Sequence, residues 1–233
     1  MRMFLKCGLA LSVLGLALSG CGGGNSSSNA PTVVSISGTA AVGAPIDRGI
    51  VQAVCAAGSA LPSVLTSSIG SYSIDVTGQT FPCALQVSGG FINSNANSTA
   101  YQSLATAAGN ANLTPLTTLL VANLAGTSPS TWFSTVTANA LNAVTQAQVN
   151  AALVNLQTAL GLAAFNSVNP ITQAFTPAAG VVLDDILSSL ATALTNANSN
   201  YAALLITAAS SAPGAALCAQ HGRIPAGASP VVS

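Results

Sequence analysis

Between Val34 and Val87 the apolar residues recur at every second position, and from Leu116 onward at every third or fourth. This change of period, at Thr114-Pro115, constrains the fold more than any other feature, because period two belongs to strands and period 3.6 to helices. Val34 and Ile36 alternate with Ser35 and Ser37, and after a stretch rich in Gly, Ala and Pro from Gly38 to Gly49, Val51, Ala53 and Cys55 share one face. Tyr72, Ile74 and Val76 alternate with Ser71, Ser73 and Asp75, and Cys83, Leu85 and Val87 stand opposite Ala84, Gln86 and Ser88. Val64 and Thr66 suit a further short strand. Such runs, separated by Gly and Pro turns, predict an antiparallel β-sandwich over residues 32–113, with a last hairpin made by Tyr101 to Thr106 and Ala111 to Leu113 around Gly109-Asn110.

The expected fold class is therefore α+β, the sandwich being followed by a mostly helical region over residues 114–212. Thr114 offers an N-cap with Pro115 at the first helical position, Leu116, Leu119, Leu120 and Leu124 share a face, and Gly126 can end the helix. One helix is expected around Thr131 to Val144, carrying Trp132, Phe133, Val136 and Leu141. At Thr145, Gln148 completes a capping box before the stripe Val149, Leu153, Leu156 and Leu160, which stops at Gly161. Thr176-Pro177 opens a further segment with Val182, Ile186, Leu190 and Leu194 at near-helical spacing. Tyr201, Leu204, Leu205 and Ala208 repeat the helical pattern, with a strand as the alternative. Residues 213–233, rich in Gly, Pro and Ala, read as a loose tail.

At the amino terminus Arg2 and Lys6 precede a mostly apolar run from Cys7 to Leu18, which ends in the small residues Ser19 and Gly20 before Cys21. This is the layout of a secretory signal, and the run is shorter than the ~20 residues that span a bilayer. Leu18-Ser19-Gly20-Cys21 resembles the lipobox of bacterial lipoproteins. The resemblance implies removal of residues 1–20 as a signal peptide and acylation of Cys21, which then joins the protein to the membrane through its acyl chains. Several chains make such an anchor durable where one does not. In that family an Asp after the Cys retains the protein in the inner membrane; Gly22 stands here, which implies the outer membrane. Residues 21–31, Cys21 followed by Gly22-Gly23-Gly24-Asn25-Ser26-Ser27-Ser28-Asn29-Ala30-Pro31, have no apolar period and read as a flexible tether.

Of five cysteines, Cys7 leaves with such a signal and Cys21 is taken by lipid. Cys55 and Cys83 fall on the apolar faces of their strands and point into one core, in a compartment that permits disulfides. A bridge between them would contribute about 3–4 kcal/mol through the entropy of the unfolded chain; two buried thiols are the alternative. Cys218 is left over, free or paired with a thiol of another chain.

Ser37-Gly38-Thr39, Gly43-Ala44-Pro45, Gly70-Ser71-Tyr72-Ser73-Ile74 and Cys83-Ala84-Leu85-Gln86-Val87 together resemble the carboxypeptidase regulatory-like module, a transthyretin-like β-sandwich. That module usually carries an Asp a few residues before the Gly of its Gly-x-Tyr hairpin, where Ser67, Ser68 and Ile69 stand here. Members of the family are accessory elements, so the resemblance implies a sandwich without catalytic residues. Ala111-Asn112-Leu113-Thr114-Pro115-Leu116-Thr117 resembles a run in proteobacterial lipoproteins that carry such a module.

Few residues are equipped for chemistry. Residues 21–233 carry Arg48 and Arg223 against Asp47, Asp75, Asp184 and Asp185, with no Lys or Glu, so there is no cationic surface for a nucleic-acid backbone. The single histidine, His221, lies in the expected tail, and no Gly-x-Ser-x-Gly elbow accompanies it. Cys218 and His221 have the spacing of half a metal site without a second half. Asp184 and Asp185 are adjacent on a helix and point about 100° apart, which suits the helix dipole better than a pair of glycosidase carboxylates. Glycine-rich phosphate loops and Asp-rich calcium loops are missing, and no catalytic, metal or cofactor site is expected. The sequence thus predicts a lipid-anchored, non-enzymatic structural or binding protein of the cell envelope. The alternative is a recognition or adhesion module for a carbohydrate or protein partner, with Trp132 and Tyr201 as its aromatic candidates.

Overall fold

In the computed structural model, which describes residues 33–210, the change of period marks the boundary between strands and helices. Cys21, Cys218, His221 and Arg223, with the expected signal, tether and tail, lie outside the described residues. The strands are β1 (Ser35–Thr39), β2 (Ile50–Ala57), β3 (Val64–Leu65), β4 (Ser71–Asp75), β5 (Thr80–Ser88), β6 (Phe91–Ile92), β7 (Asn95–Ala96), β8 (Tyr101–Ala105) and β9 (Gly109–Asn110). The helices are α1 (Pro115–Ala125), α2 (Pro129–Thr135), α3 (Ala138–Asn142), α4 (Gln146–Leu160), α5 (Val182–Asn196) and α6 (Tyr201–Ser210), with a 3-10 turn at Ala163–Ser167.

One sheet has the order β4-β1-β9, a second β3-β2-β5-β8, and β6 and β7 form a separate hairpin. Alternation puts Ile36, Tyr72 and Ile74 of the first sheet and Val51, Leu85 and Val87 of the second into one shared core. The turn that begins at Ser67 is closed by local hydrogen bonds. The Ser67 Oγ accepts the Ser71 N–H at 3.1 Å, while the Ser67 carbonyl accepts the Gly70 N–H at 2.8 Å, and Gly70 takes the left-handed φ of 77° that closes this turn.

The last hairpin is corrected. β8 pairs with β5, whereas Gly109-Asn110 is a strand of the other sheet and runs parallel to β1, so the sandwich is not purely antiparallel. The pairing continues past β9, with the Ala111 N–H donating to Ser37 at 2.7 Å and the Leu113 N–H to Thr39 at 2.9 Å. Gly38 makes this approach possible: a Cβ there would lie 2.2 Å from the Ala111 carbonyl oxygen. Tyr72 fixes the same crossing by donating its hydroxyl to that carbonyl.

Helix α1 follows at once. Thr114 and Thr117 form a reciprocal capping box, and Gly126 ends the helix at φ 63°. Leu116, Leu119 and Leu120 are fully buried, each contributing about 2 kcal/mol by burial. Thr117 and Thr118 on another face are buried as well, because α1 lies between β8 and the helices α4 and α6. Helix α3 packs on β2 and β5, and α2 on β8. Sheets and helices thus share one core.

Two helical boundaries differ from expectation. The segment Thr131 to Val144 is broken into α2 and α3 at Val136, which is extended, and Thr137, whose side chain accepts the Ala140 N–H to start α3. The helix after Thr176-Pro177 begins only at Val182, because Gly180 adopts a φ of 85° that no helix contains. Its buried stripe is Leu183, Ile186, Leu187 and Leu190, while Val182 is exposed. Helix α4 has the expected capping box and its Gly161 terminus, and the Tyr201 segment is a helix.

Candidate functional site

A cleft of about 230 Å³ lies where the β8–β9 turn, the start of α4 and the loop after the 3-10 turn meet. Its inner lining is apolar and buried: Leu104, Ala105, Val149 and Ile171. Around them stand the neutral polar residues Thr106, Asn110, Gln146, Asn169 and Thr172.

Asn112, fully buried, joins the β9 side of this cleft to the loop 169–173. Its Oδ1 accepts the Thr39 N–H and the Asn110 Nδ2, each at 3.1 Å. Its Nδ2 donates to the carbonyls of Pro170 at 3.1 Å and Gln173 at 2.7 Å, and its backbone N–H donates to Ile171 at 2.9 Å. Both ends of the amide are satisfied, so the loop 169–173 is fixed beside the segment that follows β9. Asn110 Nδ2 adds a bond to the Ile171 carbonyl at 3.1 Å, and the Thr39 hydroxyl one to Phe175 at 2.7 Å. Asn169 turns the loop by accepting the N–H groups of Ile171 at 2.9 Å and Thr172 at 3.2 Å on Oδ1. Gln146 opens α4, accepts the Thr106 hydroxyl and donates to Asn150 at 2.8 Å.

None of the described residues that line this cleft carries a formal charge. The charged side chains among the described residues are Asp47, Arg48, Asp75, Asp184 and Asp185, and all lie elsewhere. Asp184 and Asp185 occupy the first turn of α5. Asp185 Oδ1 accepts the N–H of Gly180, which precedes the helix, at 3.1 Å. Asp184 is only 5 % exposed, and its Oδ1 has no partner among the described residues. Burial, and then the neighbouring Asp185 charge, raise its pKa. Among the described residues no three His, Cys, Asp or Glu side chains gather as a metal site requires. No helix of these residues is long and apolar enough to cross a membrane.

Cys55 and Cys83 stand directly opposite each other on β2 and β5 and are bonded, with an S–S distance of 1.98 Å. The aromatic candidates do not meet at a groove. Trp132 is half-buried against the core, and Tyr201 packs 6.1 Å from the Tyr101 ring and donates its hydroxyl to the Pro115 carbonyl at 2.9 Å. Neither lines the cleft.

No protein-family model matches this chain, and no curated protein or solved structure is significantly similar to it. The cleft therefore has to be read from its own geometry. Its residues escape sequence reasoning because neutral polar side chains in loops have no characteristic spacing. Asn110 reads as a turn residue, and Gln146 is overshadowed by the capping Gln148.

Proposed function

We propose that the chain is a lipid-anchored, non-enzymatic structural or binding protein of the bacterial cell envelope, held at the outer membrane by acyl chains on Cys21. The observation that carries this reading is the Cys55–Cys83 bond at the centre of the four-stranded sheet. Persistent disulfides belong to oxidising compartments outside the cytosol, which is where a signal ending at Leu18-Ser19-Gly20-Cys21 sends a chain. The likeness to the carboxypeptidase regulatory-like module supports the same reading, since such sandwiches are accessory elements. Recognition of a ligand is the second reading, and the preorganised cleft beside Asn112 favours it.

In-cell crosslinking of the anchored protein, followed by mass spectrometry, tests the function. Recovery of envelope proteins or glycans, with no turnover in a panel of hydrolase substrates, is the expected result. Turnover that disappears in His221→Ala would refute the non-enzymatic assignment.

A further inference from the structure

We infer that the cleft bounded by the β8–β9 turn, α4 and the loop 169–172 binds one uncharged sugar ring, an inference that rests on the binding half of the reading above. Size, polarity and rigidity each restrict the ligand. At about 230 Å³ the cleft is below the ~300–1,000 Å³ of sites for drug-sized molecules, so it suits a single small ring. With no charged residue among the described residues of the lining, an ionic ligand would lose its hydration without gaining a counter-charge. A purely apolar ligand would strip water from the amides and hydroxyls around the cleft and leave them unpaired.

The lining matches a ligand with an apolar face and a polar edge. Val149 and Ile171 offer a surface for ring C–H groups, while Asn169 and Asn110 retain hydrogen-bonding capacity. Asn169 uses only Oδ1 within the described residues, leaving Nδ2 as a donor, and Asn110 uses only Nδ2, leaving Oδ1 as an acceptor. The Thr172 hydroxyl, on an exposed residue of the same loop, adds a group that donates and accepts. These groups are held in place before a ligand arrives, because Asn112 fixes the loop and the Thr145–Gln148 box fixes the start of α4. Preorganisation lowers the entropy lost on binding.

The test is a titration of the full chain, in a zwitterionic detergent, with glucose, galactose, mannose, xylose and N-acetylglucosamine, followed by saturation-transfer difference NMR. Glucuronate serves as the charged control. At least one neutral sugar is expected to bind with a Kd on the order of 1 mM, as befits a ligand of so few atoms, and glucuronate at least about tenfold more weakly. Asn169→Asp keeps the oxygen that caps Ile171 and Thr172 but removes the Nδ2 donor, and should lower affinity at least about tenfold. Thr172→Trp, at an exposed position, should block the cleft and serves as the second variant if the first does not fold. Absence of binding by every neutral sugar would overturn the inference, as would equal binding of glucuronate or affinity unchanged in both variants. The same titration on Cys21→Ala is independent of acylation, so the cleft and the anchor can fail separately.

Discussion

Thr118 Oγ1 accepts the backbone N–H of Gln102 at 2.9 Å, joining helix α1 to the last strand of the four-stranded sheet. The Gln102 carbonyl is taken by the hydroxyls of Thr117 at 2.8 Å and Thr118 at 3.3 Å. An edge strand ordinarily exposes such groups to pairing with another chain. Here two threonines satisfy them inside the core.

Thr118→Val keeps the shape and removes the acceptor, leaving a buried N–H without a partner. The expected loss is about 1–3 kcal/mol in urea denaturation, with Thr118→Ser recovering most of it. A Val variant as stable as wild type would show that the strand edge does not depend on this bond.

Asn112 makes four side-chain hydrogen bonds in a fully buried position. Asn112→Ala should cost about 3 kcal/mol or more, because several buried partners are orphaned together. Amide hydrogen exchange should show the N–H groups of Ile171 and Thr172 losing protection before those of β2 and β5.

The Tyr72 hydroxyl is buried and donates to Ala111, and burial raises its pKa above the ordinary 10.0. Its contribution is complete below the unfolded value and is lost as pH rises beyond it, since the unfolded chain then releases a proton that the folded chain retains. Denaturation midpoints should fall above about pH 10, and Tyr72→Phe should flatten that fall while lowering stability at pH 7 by about 1–2 kcal/mol.

The raised pKa of Asp184 has the same sign at lower pH: its carboxyl favours folding when protonated, and that contribution is lost as pH rises through its folded value from 3.8 upward. Asp184→Asn should therefore raise the thermal midpoint at pH 7 and leave it nearly unchanged at pH 3. A lower midpoint at pH 7 would mean that the charge at the start of α5 outweighs its burial.

What was legible in the chain follows from what acts locally. Tyr72, Ile74 and Val76 announce a strand because one face is buried and the other wet, and Thr145 with Gln148 announces a helix start through bonds within one turn. Gly109-Asn110 carries turn chemistry yet forms a strand, since Gly38 lets the chain come close to β1 from far away in sequence. The burial of Thr117 and Thr118 leaves no trace in the sequence, because the strand edge that covers them is not visible locally. The break at Val136-Thr137 was hidden by apolar residues that continue across it. The cleft was least legible, being assembled from three separate segments, two of them joined by Asn112, whose run Ala111 to Thr117 does not show which distant carbonyls its amide meets.

The proposed anchor is tested most directly in cells expressing wild type and Cys21→Ala, fed labelled palmitate and then fractionated. Label on the wild-type chain in the membrane fraction, with none on Cys21→Ala, is the predicted result. Equal labelling of the two chains would contradict it.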